Sequence, residues 1–241
     1  MRYFDENSNN LMDFFQRYPH KIKVIDLKLD ITTQMEYFSL LSEVSRKYDD
    51  EKFGDDIRTK AFDPGVPLDE RKHILVWLSC CEDVEILRDL EQYEKDCPEE
   101  IKELVSMCVY QCRTGIESSL LGEHHAVVVS GMGGKDNKIR YFAALSTVSG
   151  QPWSQTEQHL LREELMLTSR ENDAVIELLE FSGRYAKIQL LTPIMLSPVA
   201  IVRSAKDASN ELGEFISQQE VITNISRLSD EKLDGIFNGE E

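Results

Sequence analysis

Apolar positions recur at helical spacing through the first half of this chain and gather in short strand-like runs through the second. Leu11, Phe14 and Phe15 predict a first short helix ending near Pro19, since proline stops a helix. Residues 22–29 alternate in part and predict a strand or an extended lead-in. Tyr37, Phe38, Leu41, Val44 and Tyr48 then recur at three- and four-residue steps, so residues 34–48 read as a helix behind Thr32 and Thr33. Residues 49–67 are polar, carry Gly54, Pro64, Gly65 and Pro67, and predict a loop with at most a short turn near 53–59. Three helices follow. The first opens near Pro67 and carries Ile74, Leu75, Trp77 and Leu78; the second runs from Asp83 to about Tyr93 on Val84, Ile86, Leu87 and Leu90. The third starts at Cys97-Pro98, where proline suits the first turn, and ends before Gly122, a residue suited to a left-handed cap.

The period changes after Gly122. Residues 126–129 and 139–145 read as strands around a glycine-rich turn, and the run from Ser154 or Thr156 to Thr168 reads as a helix. Residues 174–181 and 185–191 form a second hairpin across Ser182-Gly183-Arg184. A helix follows within 198–215, and Ser229 or Asp230 caps a short terminal one. The expected fold class is therefore α+β. A predominantly helical scaffold over 1–122, whose helical hairpins resemble HEAT-like repeats in general organisation, precedes an α+β sandwich domain over 123–241. That second domain reads ββαββα: a four-stranded, mainly antiparallel sheet with its helices on one face, plus the short C-terminal helix.

The net charge of −17, from 44 acidic and 27 basic residues, argues against general nucleic-acid binding, because the long-range field repels phosphate. The polar start has no apolar leader segment, and no apolar run reaches membrane-helix length, so a cytoplasmic protein without a membrane contact is expected. Five cysteines, Cys80, Cys81, Cys97, Cys108 and Cys112, are odd in number and fit buried reduced thiols better than disulfides or a metal site.

Candidate chemistry concentrates in one loop. Gly131, Gly133 and Gly134 stand beside Lys135, Lys138 and Arg140, and glycine N–H groups together with cations can cradle an anion. The spacing matches neither a P-loop nor a dinucleotide fingerprint, because the glycines precede a strand rather than a helix. A hairpin turn is the competing reading. Glu123 and His125 share a strand face and form a weaker candidate pair, while His73, His20 and His159 have no identifiable partner. Glu177 and Glu180 lie an odd offset apart in a strand, which predicts opposite faces. Tyr141, Phe142, Phe181 and Tyr185 read as packing residues rather than a base-stacking surface, since no RNA-binding signature accompanies them. No metal site and no cofactor are expected. These patterns favour a non-catalytic adaptor or regulatory protein that acts through protein–protein contacts. The alternatives are a small anionic ligand bound, or turned over, at the 131–140 loop, and a structural subunit of a homo-oligomer.

Overall fold

A computed structural model describes residues 22–47, 55–122 and 126–239. The expected first helix around Leu11, Phe14 and Phe15 lies outside those residues, as do Tyr48, His20, Glu123 and His125. The chain forms two compact units, one built on Leu29–Val128 and the other on Val129–Glu241 together with Val24–Lys28. Two short strands, β1 (Ile22–Val24) and β2 (Ala126–Val128), pair in a sheet of their own.

Helix α1 (Ile31–Lys47) opens the helical unit. It begins earlier than Thr32 and Thr33 suggest, because the Asp30 carboxylate accepts from the Thr32 N–H at 2.9 Å and so serves one of the orphan donors of the first turn. Its inner face carries Tyr37, Leu40, Leu41 and Val44, all buried. Phe38, expected on the same stripe, faces solvent instead. Helix α2 (Asp55–Phe62) occupies the segment expected to be loop. Helix α3 (Leu68–Ser79) is buried at every residue from Ile74 to Ser79. Helix α4 (Val84–Asp96) is capped by Asp83, whose side chain accepts from the Glu85 N–H at 2.7 Å. Helix α5 (Glu99–Leu121) follows Pro98 and ends at Gly122, which takes the left-handed conformation at φ 65°. A side chain at Gly122 would pay the steric cost that glycine avoids there.

In the α+β unit, β3 (Gly134–Lys135) and β4 (Lys138–Thr147) form a two-residue hairpin. Asp136 and Asn137 both take positive φ, 51° and 59°, the signature of a type I′ turn. The tight hairpin partner of β4 is therefore β3, whereas residues 126–128, expected in that place, belong to β2. Helix α6 (Gln155–Glu171) starts in a capping box in which Ser154 and Glu157 serve each other's backbone N–H groups. Strands β5 (Val175–Ser182) and β6 (Tyr185–Pro193) form the second hairpin, and α7 (Pro198–Glu211) follows. Strand β7 (Ile216–Thr223) then returns antiparallel to β4, and α8 (Asp230–Asn238) closes the described chain.

The sheet is antiparallel, as expected, and runs β5-β6-β4, with β3 and β7 sharing the far side of β4. It has five strands where four were expected. Two of the five, β3 and β7, were not expected, and β7 lacks a regular alternation because Ser217, Gln218 and Gln219 all stand opposite the single residue Ser146. That bulge interrupts the period-two pattern on which strand recognition depends.

The two long helices share one face of the sheet. Leu161 and Leu165 of α6 and Ile201, Val202 and Ala205 of α7 pack on Ala143, Leu145, Ala186, Ile188 and Leu190. Lys206 of α7 is itself buried, and donates to the Gln218 carbonyl at 2.8 Å and to Glu220 at 2.5 Å. Helix α8 lies on the opposite face through Leu233 and Phe237, against Phe142, Ala144 and Tyr185. Asp234 accepts from the Tyr185 hydroxyl at 2.5 Å and from Arg184 at 2.7 Å. The expectation of two helices on one face thus holds for α6 and α7, while the short terminal helix α8, for which no face was expected, takes the other.

Candidate functional site

The glycines of the 130–140 loop are where the backbone makes its closest approaches. A Cβ on Gly131 would run into the Ile225 carbonyl, and one on Gly134 into the Lys138 carbonyl and the Val24 side chain. Gly133 adopts φ 67° and passes against Leu27. The loop is laced by its own bonds: the Ser130 hydroxyl donates to the Gly133 carbonyl at 2.8 Å, and Met132 N–H donates to the Asn224 carbonyl at 2.9 Å. Both observations give these glycines a packing reason, which is the hairpin-type reading of the segment.

The cations around them do not converge. Arg140 is buried, with 8% of its side chain exposed, and every branch of its guanidinium has a partner. Nε donates to Glu177 at 2.5 Å, Nη2 to the other oxygen of the same carboxylate at 3.0 Å, and Nη1 to the Met132 carbonyl at 2.9 Å and to Asp26 at 3.4 Å. The two-pronged bond to Glu177 holds that carboxyl below its ordinary range, assisted by the Gln189 amide at 2.9 Å, while burial opposes the shift. The same bond raises the Arg140 pKa further. Lys138 pairs with Asp173 at 3.0 Å. Lys135 sits exposed beside the type I′ turn and makes no ion pair among the described residues.

Glu177 and Glu180 share a face instead of opposing each other. The β5–β6 register shifts between Ile176 and Leu178, so Glu177 reaches Arg140 while Glu180 stands opposite Lys187 and accepts from Arg227 at 3.1 Å. One bulged residue inverts the parity of everything beyond it.

The cysteines are all free thiols. Burial pushes Cys81 up to about 12 and Cys112 up to about 11, with neighbouring thiols and Asp83 adding to the rise at Cys81. Such thiols stay protonated near neutral pH and are poor nucleophiles. Among the described residues no group of three or more histidine, cysteine and carboxylate side chains is placed to hold a metal ion. His73 Nδ1 lies 2.8 Å from the Asp69 carbonyl and Nε2 lies 3.1 Å from the Glu43 carboxylate, both on the helical surface, and at each contact the ring can only donate. No helix among the described residues is long and apolar enough to cross a membrane.

Three surface features were not legible in the sequence. Ile31, Met35 and Phe38 stand at i, i+4 and i+7 on α1, with relative exposures of 42%, 69% and 49%. A groove of about 510 Å³ runs between α2 and α4, with the Phe62 and Tyr93 rings 5.2 Å apart at an interplanar angle of 68°. A polar groove of about 460 Å³ lies beside the β7 bulge, lined by Ser146, Ser217, Gln219, Arg184 and Phe237. The first could have been found only by knowing which helix face packs inward, and the others only by knowing which strands and helices become neighbours.

No protein-family model matches the chain, and no curated protein matches it. Among solved structures, the chain is similar to one titled a "putative transposase" from Deinococcus radiodurans R1, at 15% identity and a TM-score of 0.34, over 43% of this chain and 88% of that one.

Proposed function

We propose that this is a non-catalytic cytoplasmic adaptor or regulatory protein that works by binding another protein through the outer face of α1. The observation that carries the reading is the Ile31, Met35, Phe38 stripe, which leaves three large apolar side chains in water on one helix. Contiguous exposed apolar surface of this kind marks docking sites more often than it serves the folded chain itself. The neighbouring exposed positions, Thr32, Ser39 and Ser42, are small and uncharged, and Glu36 is held by Lys72 at 2.6 Å. An apolar helix or strand can therefore approach over small uncharged neighbours, with Glu36 turned to Lys72 and Glu43 to His73. The saturated Arg140 network and the protonated thiols support the non-catalytic part, since neither offers a free cation or a nucleophile.

The test is a photo-crosslinking side chain placed at Met35, with the same group at the exposed Glu163 of α6 as control, in cells that make the protein. The expected result is a discrete protein adduct from position 35 alone, lost when Phe38→Glu is added. Adducts at both positions alike, or at neither, overturn the reading. An adduct that proves to be a second copy of this chain replaces the adaptor with a subunit of a homo-oligomer, and sedimentation of the wild type against Met35→Glu decides that case.

A further inference from the structure

The groove between α2 and α4 is built unlike the rest of the charged surface. Its two aromatic rings stand at 68° with centroids 5.2 Å apart, so the groove has two ring walls rather than one stacked pair. Ring faces carry the negative lobe of the aromatic quadrupole and attract cations. Among the described residues no cation stands over either ring. Tyr93 is instead held at its hydroxyl end by the buried Arg71, whose Nη1 donates to it at 3.0 Å, and this contact fixes the ring's direction.

The acidic groups of the groove complete the pattern. Arg58 is committed to Asp89 at 2.6 Å and to Glu85 at 3.6 Å. Asp96 has no cationic partner among the described residues and accepts only from the Gln92 amide, at 3.3 Å. Nearby Lys95 turns its ammonium to the Gln92 carbonyl oxygen at 3.4 Å instead of to Asp96. A carboxylate at a helix end beside two ring walls is thus left without a charge to meet.

We propose that this groove receives the side chain of an arginine carried on a basic segment of a partner protein, its guanidinium set against the Phe62–Tyr93 ring pair and forked onto the Asp96 carboxylate. Arginine fits better than lysine because its planar, weakly hydrated cation stacks on rings and meets a carboxylate with two parallel donors. A segment of chain fits better than a free small cation, because the groove is open to solvent along its length and takes its lining from two helices, Arg58 and Phe62 on one and Asp89, Tyr93 and Asp96 on the other. The chain's net charge of −17 draws a basic partner toward it and repels an acidic one. This inference rests on α2 and α4 and not on the α1 stripe, so either reading can fail alone.

The experiment is a nuclear magnetic resonance titration of the full labelled chain with the peptide acetyl-Gly-Ser-Arg-Ser-Gly-amide. The matched peptide with citrulline in place of arginine, which keeps the shape and removes the charge, is the first control, and tetramethylammonium chloride is the second. The expected result is saturable shifts at Phe62, Gln92, Tyr93 and Asp96 with the arginine peptide only, weakened by added salt. Asp96→Asn and Phe62→Leu should each weaken the arginine peptide by about fivefold, the scale of one exposed cation contact. Asp96 is exposed, so Asp96→Asn keeps the test valid even if Phe62→Leu disturbs packing. Equal shifts from the citrulline peptide, shifts centred away from the groove, or an affinity unchanged by Asp96→Asn overturn the proposal. Tetramethylammonium binding the groove as tightly as the arginine peptide overturns the peptide occupant in favour of a small cation. Met35→Glu should leave the titration unaltered.

Discussion

Arg140 and Arg58 each meet two carboxylates, yet the sites around them end in opposite conditions. Arg140 lies inside the α+β unit, where Glu177, Asp26 and the Met132 carbonyl take up its donors. Arg58 lies on the helical unit, where Asp89 and Glu85 hold it and the groove still keeps a carboxylate without a cation beside an edge-to-face ring pair. In the first case the charge closes the structure on itself. In the second the structure satisfies its own arginine and leaves complementary surface over. Conspicuous sequence chemistry marked the closed site, and nothing in the sequence marked the open one.

The sharpest way to test that contrast is to remove the closed arginine. Arg140→Gln leaves Glu177 and Asp26 without their cation, and Glu177 is mostly shielded, with 23% of its side chain exposed. Removing one partner of a buried pair costs about 3–5 kcal/mol, and the partial exposure of both carboxylates lowers the expectation here to about 2–4 kcal/mol. Urea unfolding of the α+β unit should show this loss. A loss under about 1 kcal/mol would mean that Arg140 is as available as Arg58's surroundings suggest, and would reopen the loop as an anion site. Gly134→Ala should also destabilise, by about 1–3 kcal/mol, since the added methyl meets backbone that cannot yield.

Most of the helical half was legible because its signals are local, whereas α2 lay in a segment read as loop. Asp83 ahead of α4, Pro98 at the start of α5 and Gly122 at its end each act within a turn of the element they delimit. The sheet was legible in class for the same reason, through the short, largely apolar strand-like runs of β4 and β6 bounded by turn residues. Its two bulges were not. Ser217–Gln219 opposite Ser146 hid β7, and the extra residue at Glu177 turned that carboxylate toward Arg140. A bulge is decided by the partner strand, so the strand's own residues carry little trace of it. The groove suffers from the same limit, because Phe62 and Tyr93 meet only through the packing of α2 on its neighbours. Phe38 shows the converse, a residue in helical register that the register alone placed on the wrong face.

Acid should separate the two sites next. Arg140 holds Glu177 below the 4.5 of an ordinary glutamate. A depressed folded-state pKa contributes stability that is present above the unfolded value and is lost as pH falls through the folded one. Tyr185 and Arg184 depress Asp234 in the same sense, and Lys187 and Ser182 depress Asp230 against the opposing effect of burial. At Glu220 burial works upward, and the bonds from Lys206 and Arg203 outweigh it. The α+β unit should therefore lose stability progressively below about pH 4.5. Arg140→Gln should show a shallower acid dependence than the wild type, because its Glu177 loses its bonded cation and keeps only the weaker pull of Lys135. Unfolding free energies measured from pH 6 downward check both, and parallel acid profiles for the two proteins would remove Glu177 from the account.

Tyr185→Phe removes the bond to Asp234 while keeping the ring on Phe237, which lies 5.5 Å away. The expected cost is about 0.5–1.5 kcal/mol, read as earlier hydrogen exchange in α8 than in β4. An unchanged α8 would place its attachment in Leu233 and Phe237 alone.

The smallest expected effect is the one on which the comparison turns. Asp96→Asn removes a charge that meets no cation among the described residues, at the exposed end of α4. Its stability change should lie within about 0.5 kcal/mol, the range of surface substitutions away from special contacts. The sign should be slightly stabilising, since a carboxylate at a helix C-terminus faces the negative end of the helix dipole. Arg140→Gln and Asp96→Asn are thus alike in chemistry, each exchanging a charged side chain for an amide, and should differ severalfold in what they cost the fold. A residue that contributes nothing to stability, or opposes it, while lining a groove beside the Phe62–Tyr93 pair meets the condition that the proposed arginine site requires. If Asp96→Asn instead destabilises as Arg140→Gln does, the groove is a closed structural site like the other, and the distinction between the two arginines disappears.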